Sequence, residues 1–221
     1  MARTDAWDSR VGECTAVAFP FAADVGPHVR ARLRVRIAWH RREYHVHLDS
    51  LHALYVEGLQ DLYSAEGQIV KALPKLIKAA TGEALKSAFA SHLEQSKEHI
   101  ARLERICGEL DVNPKSKHCK GMEGLLAEGA ELMDEDADPD VMDAGLIASA
   151  QHVEHYEMAG YGTVRTYAQL LGFDEQSAIL QETLDEEEDT DLLLTELSQT
   201  VNVAAMSGDD EHTQSRNLQS K

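Results

Sequence analysis

Four stretches between Leu51 and Val201 repeat apolar residues at three- and four-residue steps, and near mid-length each of these seams turns to carboxylate or histidine. A helix that is apolar along one stripe is stable when that stripe is covered, and four such stripes cover one another as an all-α antiparallel four-helix bundle. The first seam, within about 49–80, reads Leu51, Tyr55, Leu59, Leu62, Glu66, Ile69, Leu73 and Leu76. The second, with Thr81 as its cap, reads Leu85, Phe89, His92, Ser96, His99, Leu103, Ile106 and Leu110. Residues 111–138 make a crossover that carries one short amphipathic helix, about 119–133. Asp138 and Pro139 then supply a cap and a first-turn proline for a helix that Gly172 ends, with seam Ile147, Ala150, Glu154, Glu157, Tyr161 and Val164. Asp174 caps the last helix, whose seam is Leu180, Leu184, Glu187, Asp191, Leu194, Ser198 and Val201.

Register decides whether the polar positions meet. In an antiparallel hairpin, residues equidistant from the turn lie side by side, at about 1.5 Å per residue along each axis. Glu66 lies 14 residues before Ala80, while His92 and His99 fall 11 and 18 after Thr81, so Glu66 faces the gap between the histidines. In the second hairpin, Glu157 is 15 residues before Gly172 and Glu187 is 14 after Phe173, and Glu154 and Asp191 are both 18 from the turn. All of them fall in one layer at the waist of the bundle.

A buried, unpaired carboxylate is strongly disfavoured unless it is protonated, ion-paired or bound to a cation. The seams hold several carboxylates and no lysine or arginine. A pair of divalent cations would neutralise them: carboxylates bridge two hard cations about 3.5 to 4 Å apart, and an imidazole completes each shell. Glu154 with Glu157 and Glu187 with Asp191 are spaced i, i+3 and i, i+4, as residues sharing a helix face are. The candidate ligands are therefore Glu66, His92, Glu154, Glu157, Glu187 and Asp191. The alternatives are a salt-bridged core for Glu66, a solvent-facing or dimer-contact role for one of Glu154 and Glu157, and an acidic surface run for Glu187 and Asp191. His99 falls to the hydrogen-bonded core histidine, Tyr161 to a ligand partner or simple packing, and His155 to the rim or surface. Cys107 and Cys119 lack the spacing of a metal knuckle and are read as packing thiols.

Composition bounds the rest. Residues 1–48 hold eight arginines, five acids and no lysine, whereas the remainder carries 34 acids against 13 cations. An acidic main region excludes nucleic acid and anionic membrane as partners, because both need clustered cations. Nothing approaches the ~18 to 20 consecutive apolar residues of a membrane span. Three scattered cysteines suit a reducing compartment without a disulfide framework. Residues 1–47, with no sustained period, are read as a disordered or mis-annotated extension, a basic arm or appended hairpin being the functional alternative. Residues 48–206 are read as the bundle, and 207–221 as a flexible polar tail.

Several segments resemble the YciE/YciF group of ferritin-like, rubrerythrin-like proteins: Leu59-Gln-Asp-Leu-Tyr-Ser-Ala-Glu66-Gly-Gln, Ala72-Leu-Pro-Lys75, His92-Leu-Glu-Gln-Ser96 with Arg102-Leu-Glu104, the run from Cys119 to Gly129, Glu154-His-Tyr-Glu-Met-Ala-Gly-Tyr-Gly162, and Leu184-Asp-Glu-Glu187 with Asp191. The resemblance covers about residues 48–200. It implies a ferritin-like bundle with a crossover between its hairpins, in a cytoplasmic, stress-associated protein that is often a homodimer, and it adds Glu128 on the crossover helix as a candidate ligand. The wider class pairs a Glu on one helix with Glu-x-x-His on the next. Here Phe89 and Ser96 stand three residues before His92 and His99, and Glu154 begins Glu-x-x-Glu.

Two function classes follow. One is a di-metal protein, di-iron in the first instance with manganese or another divalent metal as alternatives, that oxidises ferrous iron or reduces peroxide or oxygen. The other is a non-catalytic helical stress-response dimer whose metal site has degenerated. No nucleophile elbow, phosphate loop or Cys/His signature is present, so a nucleophilic enzyme is a distant third.

Overall fold

The computed structural model describes residues 48–219, with side chains from 48 to 206; the expectations for residues 1–47 lie outside the described residues. Helix α1 spans Leu51–Ala79, α2 Glu83–Glu109, α3 Lys120–Met133, α4 Pro139–Leu171 and α5 Asp174–Gln219, with a single 3-10 turn at Pro114–Ser116 in the crossover. Helices α1 and α2 form one hairpin and α4 and α5 the other; α1 packs on α4, α2 on α5, and α3 lies across α4 and α1. The expected all-α antiparallel bundle with one short crossover helix is the observed architecture.

Local chemistry sets the helix ends, in three places differently from the sequence pattern. Ser50 accepts the Ala53 N–H at 3.1 Å and starts α1 as an N-cap should. Helix α2 has Gly82 as its N-cap, not Thr81. Its opening is held from across the bundle, where the buried Asp143 carboxylate of α4 accepts from Thr81 N–H (2.8 Å), Thr81 Oγ1 (2.8 Å) and Gly82 N–H (2.7 Å). Asp174 is already the first residue of α5, and the Phe173 carbonyl accepts the Ser177 N–H. The Asp174 charge thus acts on the helix dipole from within the first turn. Gly172 ends α4 at φ +78°, which glycine adopts without penalty, and the Phe173 N–H closes back on the Ala168 carbonyl. The helical backbone of α5 continues to Gln219, past Met206 where a loose tail was expected to begin; no proline interrupts it.

The core is two apolar blocks with the polar layer between them. One block, towards the α1–α2 turn, contains Ile69, Leu73, Phe89, Met122, Leu146, Ile147 and Leu194. The other contains Tyr55, Leu59, Leu62, Leu103, Ile106, Val164 and Leu180. Between α1 and α4 the backbones approach so closely that a Cβ on Gly160 would sit 2.7 Å from Leu62 Cδ2, and one on Gly58 2.7 Å from Val164 Cγ1. This draws the helices carrying Glu66 and Glu157 together. Cys107 packs in the second block, and burial pushes its thiol up to about 11. Cys119, the N-cap of α3, places Sγ 3.1 Å from Asp61 Oδ2 and 3.0 Å from the Tyr156 hydroxyl, pinning the crossover helix to α1 and α4.

Candidate metal centre

Between the two blocks lie Glu66 of α1, His92, Ser96 and His99 of α2, Glu154, Glu157 and Tyr161 of α4, and Glu187 of α5, all buried. Their ligand atoms form two groups. Atoms of His92, Glu154, Glu157 and Glu187 lie within 4.8 Å of one another, as do atoms of Glu66, His99 and Glu187. Glu187 belongs to both, which is the arrangement a carboxylate bridging two cations requires.

The two groups differ in how far the protein alone satisfies them. Glu66 Oε1 accepts the Tyr161 hydroxyl at 2.6 Å and faces His99 Nδ1 at 3.1 Å. The other ring nitrogen, His99 Nε2, lies 2.7 Å from Glu186 Oε2, and Arg102 grips both Glu186 oxygens at 2.6 and 3.0 Å. The Arg102 hydrogen bond outweighs burial and holds the Glu186 carboxyl below its usual range, so Glu186 is ionised and Nε2 must donate. With Nε2 as donor, Nδ1 presents a lone pair to a cation or, without one, carries a second proton between Glu66 and Glu187. Burial works against that second proton. Hydrogen bonds and charge from Glu187 and Glu66 outweigh burial and raise the imidazole to about 10.

Around His92 the protein supplies much less. Its Nε2 is 3.4 Å from Glu154 Oε1 and its Nδ1 is 3.9 Å from Glu187 Oε2, and neither nitrogen makes a hydrogen bond. Both Glu157 oxygens and Glu154 Oε2 also lack a hydrogen-bond partner. Burial, reinforced by the neighbouring Glu187 and Glu66 charges, pushes the Glu154 and Glu157 carboxyls well above the ordinary range. Glu187 goes the other way: burial opposes ionisation, but the His99 hydrogen bond and the charges of His92 and His99 hold it low. Protonating Glu157 would remove its charge and still leave its oxygens unpaired, a cost of about 1–3 kcal/mol per buried group. A divalent cation removes both deficits at once, and the donor set of carboxylate oxygens plus one imidazole per group suits iron or manganese. The residues present therefore fit a two-cation centre.

Of the seven sequence candidates, five converge: Glu66, His92, Glu154, Glu157 and Glu187. Glu128 does not; it is exposed on α3, at an open depression shared with His152 and His155. Asp191 sits at the rim, accepting from Gln151 Nε2 at 3.1 Å with His155 Nε2 at 3.4 Å. Past Glu187 the buried face of α5 steps to Thr190 and Leu194, three and seven residues on, and this leaves Asp191 turned outward. His99, assigned by sequence to the hydrogen-bonded core, joins the second group, and Glu186, taken as surface charge, is its partner. The signal for that pairing was Arg102, one turn beyond His99 and in need of an acid.

Residues 50–206 match the family model described as "Domain of unknown function (DUF892)". The chain is 40% identical over 154 residues to Protein YciF of Escherichia coli (strain K12), covering 69% of this chain and 93% of that protein. This chain belongs to the YciE/YciF family. The crystal structure of the E. coli stress protein YciF superposes with a TM-score of 0.68 over 70% of this chain and 98% of that one. A ferritin-like, diiron-carboxylate protein from Bacillus anthracis str. Ames, 16% identical, superposes with a TM-score of 0.55 over 68% of this chain and 99% of that one, which shows the shared ferritin-like fold. Among the described residues no helix is long and apolar enough to cross a membrane.

Proposed function

We propose that this family member holds two divalent cations, iron in preference to manganese, at the waist of its bundle, and serves as a stress-associated redox protein in the cytoplasm. The observation that carries this reading is Glu187, the carboxylate common to both ligand groups. Two ferrous ions held there would give two electrons to dioxygen, which with two protons leaves hydrogen peroxide, or to peroxide, which with two protons leaves two waters. The chain's own residues divide the remaining work. Tyr161 orients Glu66, the Glu186–Arg102 pair fixes the His99 ring so that Nδ1 faces inward, and the two apolar blocks keep bulk water from the layer. The test is elemental mass spectrometry after anaerobic ferrous loading and desalting, with about two irons per chain expected for a two-metal site. A Glu154→Ala, Glu187→Ala double variant should retain almost none. Wild-type protein that retains no iron would sink the proposal.

That last outcome would favour a second reading, a non-catalytic stress-response dimer whose polar layer is structural. His99 carrying two protons between Glu66, Glu187 and Glu186 supports it, because both nitrogens of that ring face carboxylates without a cation. Both readings keep the homodimer as a proposal, which exposed Leu170, Leu192, Val203 and Met206 suit. Sedimentation of the full chain decides the oligomeric state.

A further inference from the structure

Two cavities adjoin beside the crossover helix. The inner one, about 20 Å³, reaches His92, Glu154 and Thr190; the outer one, about 30 Å³, reaches the half-buried Leu125, Met133 and Ser149. They share five wall residues: Ala72, Leu76, Leu126, Ala150 and Val153. Every shared side chain is apolar, and two of the five are alanines set among larger neighbours. The inner space exceeds the ~10–15 Å³ that one water-sized molecule needs, but such a water also needs two to four polar partners. The Thr190 hydroxyl is already spent on the Glu186 carbonyl at 3.0 Å, and the shared walls offer no polar atom, so only the His92–Glu154 end of the inner space has partners for water. An all-apolar stretch such as the shared one stays dry and suits non-polar guests.

We infer that the two cavities form one apolar path, between α1, α3 and α4, that admits dioxygen in preference to peroxide to the His92–Glu154 side of the centre. The guest is small and non-polar because the walls offer no hydrogen bond along the shared stretch, and peroxide would lose its hydration there without replacement. The path also gives the crossover helix a role, since Leu126 of α3 forms part of the wall in both cavities. Its functional meaning rests on the two-cation reading, but the path itself does not.

The experiment is methyl NMR of the full-length chain, without added metal, equilibrated with oxygen and then with nitrogen. Oxygen-induced relaxation should be severalfold larger at Leu126, Val153 and Ala150 than at Leu59, Leu103 and Ile106, which are equally apolar but lie in the other block. Ala150→Leu should abolish the difference by filling the junction, and Leu126→Ala should enlarge it by opening the wall. If Ala150→Leu fails to fold, the Leu126→Ala arm still decides. Equal relaxation in both blocks of the wild type, or a response in Leu126→Ala no larger than wild type, overturns the path. In iron-loaded protein, Ala150→Leu should slow oxidation by dioxygen and leave oxidation by added peroxide unchanged; equal slowing by both overturns the selectivity for dioxygen. A chain that shows the oxygen-induced contrast but retains no iron keeps the path and loses the two-cation reading.

Discussion

The half of the polar layer around His99 and the half around His92 contain the same residue types and behave oppositely. Around His99 most polar groups meet another: Tyr161 donates to Glu66 Oε1, and Glu186, anchored by Arg102, receives the ring, leaving Glu66 Oε2 as the unpaired atom of this half outside the shared Glu187. Around His92 the two ring nitrogens, both Glu157 oxygens and one Glu154 oxygen meet nothing they can hydrogen-bond. A buried network that is satisfied rigidifies a core, whereas an unsatisfied one costs stability until something completes it. The contrast indicates that the His99 half is pre-built, with its proton standing where a cation would go, and that the His92 half is complete with a cation.

The largest effect that follows is on both halves together. Glu187→Ala should take metal content from about two ions per chain to near zero, because the shared carboxylate is lost to both positions; one ion retained would mean that Glu187 serves a single position. Next in size are two apolar substitutions that should move the metal-free chain in opposite directions. Glu66→Leu, which strands Tyr161 and His99, should destabilise it by about 3–5 kcal/mol, as removal of one buried partner does. Glu157→Met, which removes two unpartnered oxygens, should be neutral or stabilising by about 1–3 kcal/mol. Denaturant melts of the metal-free variants check both, and a shift of the same sign would erase the distinction between the halves. At the centre itself, Glu186→Gln should weaken binding of one ion of the two by about 10–100-fold, the usual consequence of loosening a group that orients a ligand histidine. Isothermal titration with manganese would resolve it.

The pH dependence is smaller and has a defined sign. The folded imidazole of His99 is raised to about 10 from an ordinary 6.5, so its stabilisation is complete below about 6.5 and is lost as pH climbs through the folded value. The raised Glu154 and Glu157 carboxyls act in the same direction: the folded state keeps protons that the unfolded chain has released above about 4.5, so they too make stability fall with rising pH. Glu187, held low, opposes them in acid alone. The metal-free chain should therefore lose thermal stability between pH 6.5 and 10, and His99→Gln should flatten that slope. Bound cations should reverse the trend, because they compete with those same protons and bind more tightly as pH rises. The smallest effects belong to Glu128→Ala and Asp191→Ala, both outside the ligand groups. Neither should change metal content, and each should alter stability by no more than about 0.5 kcal/mol.

Much of this molecule was legible from residue order because helix seams and hairpin register are local quantities. The three- and four-residue steps define four helices, and counting from the turns places Glu66, His92, Glu154, Glu157 and Glu187 in one layer. Helix ends were less legible. Thr81 has the chemistry of a cap, yet the acceptor that holds the start of α2 is Asp143, 61 residues away from Gly82. No local pattern announces such a partner.

The amino-acid sequence by itself determined the helices, their pairing into hairpins, the family, and the depth at which polar groups interrupt the core. Tertiary structure alone decided which of several adjacent acids turns inward. Successive helix residues differ by about 100° in direction, so a small error in the seam axis exchanges Asp191 for Thr190, or misses that Glu186 can touch His99 while Glu187 bridges both groups. It also decided which half of the layer is better satisfied, because Tyr161 of α4 reaches Glu66, and Glu186 of α5, held by Arg102 of α2, reaches His99. The meeting of those side chains depends on how the four axes pack, and periodicity along one chain carries no record of it.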